Sequence, residues 1–197
     1  MSYKCGIIWD LIMVKYNLKR YIAIITILAV GFFILYVTLF NLPIKESVSY
    51  SITTISVFAF LFVSVAWKCK AFRGWLVPFP DISGKWKGYL ESSYEGGSKR
   101  IPVELSVRQT FLHIQIKLST KESKSNSIAA AFNIDDDRNI KQICYTYRNE
   151  PKAKFQERSP IHYGSVILDI DANDKMSGIY WTSRKTIGDI SVSKCSK

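Results

Sequence analysis

Residues 78–97 read PFPDISGKWKGYLESSYEGG. Pro78 and Pro80 stop any helix arriving from upstream, because proline lacks the N–H that a helix interior uses and clashes with the preceding turn. After them, Gly84-x-Trp86 opens a run in which side chains alternate, the period of a strand rather than a helix. The stretch reads as a joint, with the first strand of a small barrel on its far side. Trp86, a large apolar ring just inside that strand, is expected to plug one end of the barrel.

Upstream of the joint the chain is oily. Residues 21–40, YIAIITILAVGFFILYVTLF, hold no charge; 20 residues rising about 1.5 Å each make a helix of roughly 30 Å, the hydrocarbon thickness of a bilayer. Residues 48–67, VSYSITTISVFAFLFVSVAW, form a second uncharged run of 20. Its Ser and Thr hydroxyls can bond back to their own helix or across to a neighbour. Only NLPIKES separates the two runs, which forces a tight antiparallel hairpin. A cleaved signal peptide does not fit, because the leader and the apolar core are too long and no small-x-small site follows. Lys15, Lys19 and Arg20 precede the first run and Lys68, Lys70 and Arg73 follow the second, whereas the hairpin offers only Lys45 beside Glu46. The positive-inside rule therefore puts both termini in the cytoplasm. Tyr21, Tyr50 and Trp67 lie near the ends of the runs, where aromatic rings favour the membrane interface. Residues 1–20, with Ile7, Ile8, Leu11 and Ile12, suggest an amphipathic helix on the inner surface. Residues 68–80 are a linker, and residues 81–197 a cytoplasmic domain.

That distal domain alternates with period two. VELSVRQ (103–109), LHIQIKL (112–118) and SVILDI (165–170) are the clearest cases, joined by candidates at 84–93, 126–134, 139–148, 176–184 and 187–194. Turn-forming clusters, EGGSK, TKESKSN, DDDRN and DANDK, separate them. The polar stretch 149–160, NEPKAKFQERSP, reads as a loop. About eight short strands joined by tight turns predict an antiparallel meander. Closure into a lipocalin-like barrel leaves no open edge, and eight strands enclose packed side chains or one small ligand. A β-sandwich is the alternative. The predicted fold is thus two N-terminal transmembrane helices followed by an all-β barrel.

Charge divides unevenly. The net charge is +11; residues 1–75 contribute +6 and the rest +5. A basic soluble domain suits an anionic ligand or an anionic lipid surface. Cys5, Cys69, Cys144 and Cys195 are scattered, which argues against a disulfide framework or a structural zinc site. His113 and His162 have no partner at catalytic spacing, and no P-loop, G-x-S-x-G or H-E-x-x-H occurs. The acidic cluster Asp135–Asp137 lacks the downstream glutamate and glycine of a calcium loop, and acidic turns such as that around Asp169, Asp171 and Asp174 are common. No catalytic residue, metal site or cofactor is predicted.

Binding residues have better support. CYTYRN places Tyr145, Tyr147 and Arg148 together, and GIYWTSRKTIG places Tyr180, Thr182, Arg184, Lys185 and Thr186 together. Tyr180, Thr182 and Arg184 share one side of an extended strand, offering a stacking ring, a hydroxyl and a forked cation, a combination that suits a nucleotide phosphate. Arg108 is a further basic candidate.

The two N-terminal spans, PDISGKWKGYL (80–90) and SGIYWTSRKTIGDISV (177–192) together resemble the SMODS-associated two-transmembrane, β-strand-rich effectors, the membrane β-barrel effectors of CBASS anti-phage immunity. The resemblance covers essentially the whole chain. It implies a barrel that binds a cyclic di- or oligonucleotide messenger made by a partner cyclase. It further implies assembly into homo-oligomers and disruption of the bacterial inner membrane, with membrane lipid as a partner and no nucleic-acid polymer. Tyr180, Thr182, Arg184, Lys185 and Thr186 fall in the matching terminal motif; Arg108, Tyr145, Tyr147 and Arg148 are candidates from their chemistry alone. Two other readings compete: a membrane-anchored binder of an apolar ligand, whose lumen would lack cations, and a structural subunit that docks another protein.

Overall fold

The computed structural model describes residues 18–93, 100–135, 137–171 and 173–195. Except for its last three residues, the segment 1–20 expected to be an amphipathic helix lies outside them. The contacts divide the chain into a helical unit, which runs to Pro80 and includes Thr110–Leu112, and a barrel unit that begins at Asp81.

In the helical unit, α1 spans Leu18–Thr38 and α2 spans Ile44–Ser64. Both are long and apolar enough to cross a membrane. They leave large apolar side chains bare, Ile27 and Phe60 each 70% exposed, a surface suited to lipid rather than water. The connection is shorter than the seven residues expected. Pro43, with φ −58° and ψ 149°, sets the N-cap, so Ile44 already opens α2, and Glu46 sits in the first turn where the helix dipole favours a carboxylate. The α2 hydroxyls bond in both ways anticipated. Ser51, Thr53 and Ser56 donate to the carbonyls of Ser47, Ser49 and Ile52, while Thr54 Oγ1 meets Tyr36 Oη across the hairpin at 2.7 Å. Phe32 stacks on Phe58 at 5.7 Å.

Trp67 departs from its expected interfacial place. The helix ends at Ser64, and Trp67 sits in a 3-10 turn, Ala66–Lys68, only 1% exposed. It packs with Phe79 at 5.8 Å in a cluster that also holds Tyr21, Phe62 and Phe111. The linker is folded as well: Val77 and Phe79 are buried, and Arg73 bridges to Val77.

The barrel unit is a closed meander of eight antiparallel strands in sequence order, with β8 pairing back to β1. Its strands are β1 (Gly84–Ser92), β2 (Arg100–Gln109), β3 (Ile114–Ser119), β4 (Ser123–Asp135), β5 (Ile140–Pro151), β6 (His162–Asp171), β7 (Lys175–Thr182) and β8 (Ile187–Lys194). Most strand ends differ by one to three residues from the sequence reading. β3 begins at Ile114, which leaves Leu112 outside the strand and 74% exposed, and two further ends have clear causes. β5 continues through Asn149 to Pro151, where Pro151 pairs with Ser123 as the last residue of the strand, a position that needs no further donor. β7 stops at Thr182 instead of 184, because Thr182 N–H returns to Thr186 O at 3.0 Å and closes a turn. The register slips once, in β4 between Ser127 and Ala129. This bulge lets Ser125 face inwards before it and Ala130 and Phe132 after it.

Inward residues alternate as predicted. Val103, Leu105 and Val107 of β2, Ile116 and Leu118 of β3, Val166 and Leu168 of β6, and Ile190 and Val192 of β8 all join one core. Trp86 fills the end of that core where the domain begins, 1% exposed, its Nε1–H donating to Ile82 O at 3.0 Å. Gln109 Oε1 accepts the Ile82 N–H at 2.8 Å, so both backbone polar groups of Ile82 are paired. The acidic turn after β4 is a local cap, in which Asp135 accepts the Arg138 N–H at 3.2 Å.

Candidate functional site

At the end of the barrel away from Trp86 the core gives way to a cavity of about 660 Å³, within the usual range for small-molecule sites. Its floor is the apolar core, Ile116, Val166 and Ile190, and its walls and rim include residues of the β3–β4, β5–β6 and β7–β8 connections. Topology makes it: in an eight-stranded meander four connections converge on one mouth.

Three tyrosines line the interior. Tyr145 and Tyr147 alternate on β5, their rings 6.2 Å apart, and Tyr180 comes from β7. Two glycines make room for the phenols: a Cβ at Gly164 would collide with the Tyr147 phenol, and one at Gly188 with Tyr180. The register pairs each glycine with its tyrosine, Gly164 with Tyr147 and Gly188 with Tyr180. Burial raises all three phenol pKa values. Tyr147 is pushed up to about 12, with Tyr180 adding to the effect. Tyr145 is raised further in the same direction by burial and then by Tyr147. Tyr180 is raised by burial, partly offset by its bond to Ser92. All three therefore stay neutral near pH 7 and present O–H donors. Tyr145 Oη is fully buried and finds no partner among the described residues, an arrangement that costs stability unless something bonds to it. Ser125 Oγ donates to Asn149 Oδ1 at 2.9 Å in the same wall.

Cations gather at the rim. Arg184 Nη1 donates to Ser159 Oγ at 2.8 Å, Arg100 pairs with Glu91 at 2.6 Å and Arg158 with Glu122 at 2.6 Å. Thr182 organises the β7–β8 turn: its Oγ1 accepts the Arg184 N–H at 3.2 Å and lies 2.6 Å from Thr186 Oγ1. A ring of guanidinium forks over neutral phenols can bind a compact polyanion that carries flat heterocycles.

Of the nine residues singled out in the sequence, Tyr145, Tyr147, Tyr180, Thr182, Arg184 and Thr186 line this cavity. Arg108, Arg148 and Lys185 do not. Strand alternation puts Arg108 and Arg148 on the outside, and Arg148 pairs there with Glu150 at 3.3 Å. Lys185 occupies the turn at φ 61° and is exposed. Arg184 arrives from this turn rather than from strand alternation. Sequence reasoning missed Phe155, Arg158, Ser159, Asn149, Thr120, Arg100 and His162, all of which line the cavity. Most lie in or beside the stretch read as a plain loop, and only barrel closure brings them to the mouth. A cation within the lining disfavours the apolar-ligand reading.

Residues 77–194 match the family model described as the Cap15 cyclic dinucleotide receptor domain. The chain belongs to the Cap15 family. Among its relatives is CD-NTase-associated protein 15 of Staphylococcus schleiferi, 35% identical over 76% of this chain and 79% of the relative. The protein of the same name from Escherichia albertii is 28% identical over 94% and 97%, and that from Yersinia aleksiciae 30% identical over 63% and 60%. Cap15 proteins are CBASS effectors, receptors rather than catalysts. The Cap15 match runs from before β1 to the end of β8 and so contains every residue that lines the cavity.

Proposed function

We propose that this chain is a membrane effector of CBASS immunity, in which the barrel cavity receives a cyclic di- or oligonucleotide made by a partner cyclase. Ligand-bound chains then assemble and breach the bacterial inner membrane. The observation that carries the binding step is the cavity itself, with Arg184 at its rim and Tyr145 Oη unpartnered at its depth. A messenger phosphate meets the guanidinium, and a base or ribose acceptor meets the buried phenol. The helices with their exposed apolar faces support a place in the membrane, and the basic flanks of both spans support cytoplasmic termini. Assembly follows only if the messenger binds the assembled form more tightly, since equal affinity for two states shifts neither.

Tyr145→Phe separates binding from folding. Removing a buried hydroxyl without a partner should leave the thermal midpoint unchanged or raise it, while messenger affinity falls by about tenfold for one lost hydrogen bond of ~1.4 kcal/mol. A fall in the midpoint at unchanged affinity would assign the hydroxyl to the fold instead. For the effector step, the full chain is reconstituted in phospholipid vesicles loaded with a self-quenched dye. Addition of the cognate cyclic nucleotide should release the dye, and linear mononucleotides should not. Tight binding without release would reject membrane disruption while sparing the receptor reading.

A further inference from the structure

The connection between β5 and β6 forms a strap along the cavity rim, between the β3–β4 and β7–β8 turns. Phe155, Arg158 and Ser159 on it line the cavity. One side of the strap is tied to the β3–β4 turn. Lys152 N–H donates to Glu122 O at 2.8 Å, Lys152 Nζ to Lys121 O at 2.7 Å, and Arg158 Nη2 to Glu122 Oε2 at 2.6 Å. The other side meets the β7–β8 turn through Ser159 and Arg184. Arg158 also lies over the Phe155 ring at 5.2 Å, which fixes the direction of its fork.

Resting on the reading of this cavity as a cyclic nucleotide site, we propose that Arg158 is an anion-binding arm of the site and that Glu122 is its built-in competitor. A carboxylate and a phosphate diester offer the same paired oxygens to a guanidinium, and one edge of the fork satisfies one such group at a time. A messenger phosphate that reaches Arg158 therefore displaces the Glu122 carboxylate. The strap exchanges the Arg158 tie to the β3–β4 turn for a tie to the ligand, and the backbone and ammonium bonds of Lys152 keep its base in place. Glu122 also lines the mouth, so its charge opposes an incoming anion directly. Arg158 and Glu122 have side chains 52% and 49% exposed, and pairs this exposed contribute little to folding. The pair is therefore better placed to set affinity than stability.

The test measures binding of 3′,3′-cyclic dinucleotides, covering every pairing of A, G, C and U, to the full chain in phospholipid nanodiscs. Glu122→Gln should bind the best ligand about tenfold more tightly than the unaltered chain, and Arg158→Ala about tenfold more weakly. The gain from Glu122→Gln should shrink to about twofold or less when Arg158 is already Ala, because the competition is gone. Glu157→Gln, an equal change of charge at an exposed strap residue outside the cavity lining, should change affinity by less than about twofold. An unchanged or weaker affinity in Glu122→Gln overturns the proposal. So does a gain that persists in full without Arg158 or that Glu157→Gln reproduces, since either would be a net-charge effect. If the unaltered chain and Glu122→Gln both bind none of the ligands, the receptor reading itself fails, and the competitor with it.

Discussion

Replacing Trp86 with Ala is expected to destabilise the barrel by about 3–5 kcal/mol, the range for emptying a buried aromatic site. Trp86 is 1% exposed and belongs to the central core. Neighbours on both flanking strands, Leu105 and Lys194, pair with it in the register, and closed-barrel hydrogen bonding resists the collapse that would refill the hole. Its loss also leaves Ile82 O without the indole donor. Set against a typical domain stability of about 5–15 kcal/mol, this single change removes a large share. Equilibrium urea unfolding followed by tryptophan fluorescence and circular dichroism measures it. Because Trp86 lies at the opposite end from the cavity, the folded fraction should bind messenger with normal affinity. A loss below about 1 kcal/mol would show that the ring is not the plug that closes this end.

Arg184→Ala has the converse signature. The barrel should keep most of its unfolding midpoint, since Arg184 is a partly exposed turn residue and interactions this exposed contribute little to folding. Messenger affinity should fall by about 10–100-fold, the equivalent of one charge-assisted hydrogen bond of about 1.5–3 kcal/mol in a desolvated mouth. Arg184→Lys should recover only part of that loss, because an ammonium keeps the charge and not the fork. Raising salt should weaken the unaltered chain more than Arg184→Ala, which has one cation fewer to screen. Normal affinity in the Ala variant would remove Arg184 from the site.

The fold was legible because strand alternation is a local signal. Val103, Leu105 and Val107 announce an inward face wherever they occur, and the Pro78–Pro80 joint separates them from two long uncharged runs. Closure of β8 onto β1 follows from strand number and the need to hide edges. The site was only partly legible. Tyr145, Tyr147 and Tyr180 lie on alternating positions that any inward face would use, and their chemistry marked them. Arg108 and Arg148 lie on the outward set of their strands, one position out of phase with the residues that line the cavity. Arg184 lines the cavity, but a turn, not an extended strand, delivers it there. Arg158 and Ser159 were illegible because a polar loop has no periodicity to say which way its residues face. Their place depends on the strap being tied to a turn some 30 residues earlier in the chain.

The central claim is that the barrel cavity is a receptor for a cyclic nucleotide, and calorimetric titration of the full chain in nanodiscs with cyclic di- and trinucleotides of all four bases tests it most directly. The account predicts saturable binding of at least one of them at one site per chain, lost or weakened by at least tenfold in Arg184→Ala and undiminished in the folded fraction of Trp86→Ala. Absence of binding across the whole set, or binding that Arg184→Ala leaves untouched and Arg108→Ala abolishes, would contradict it.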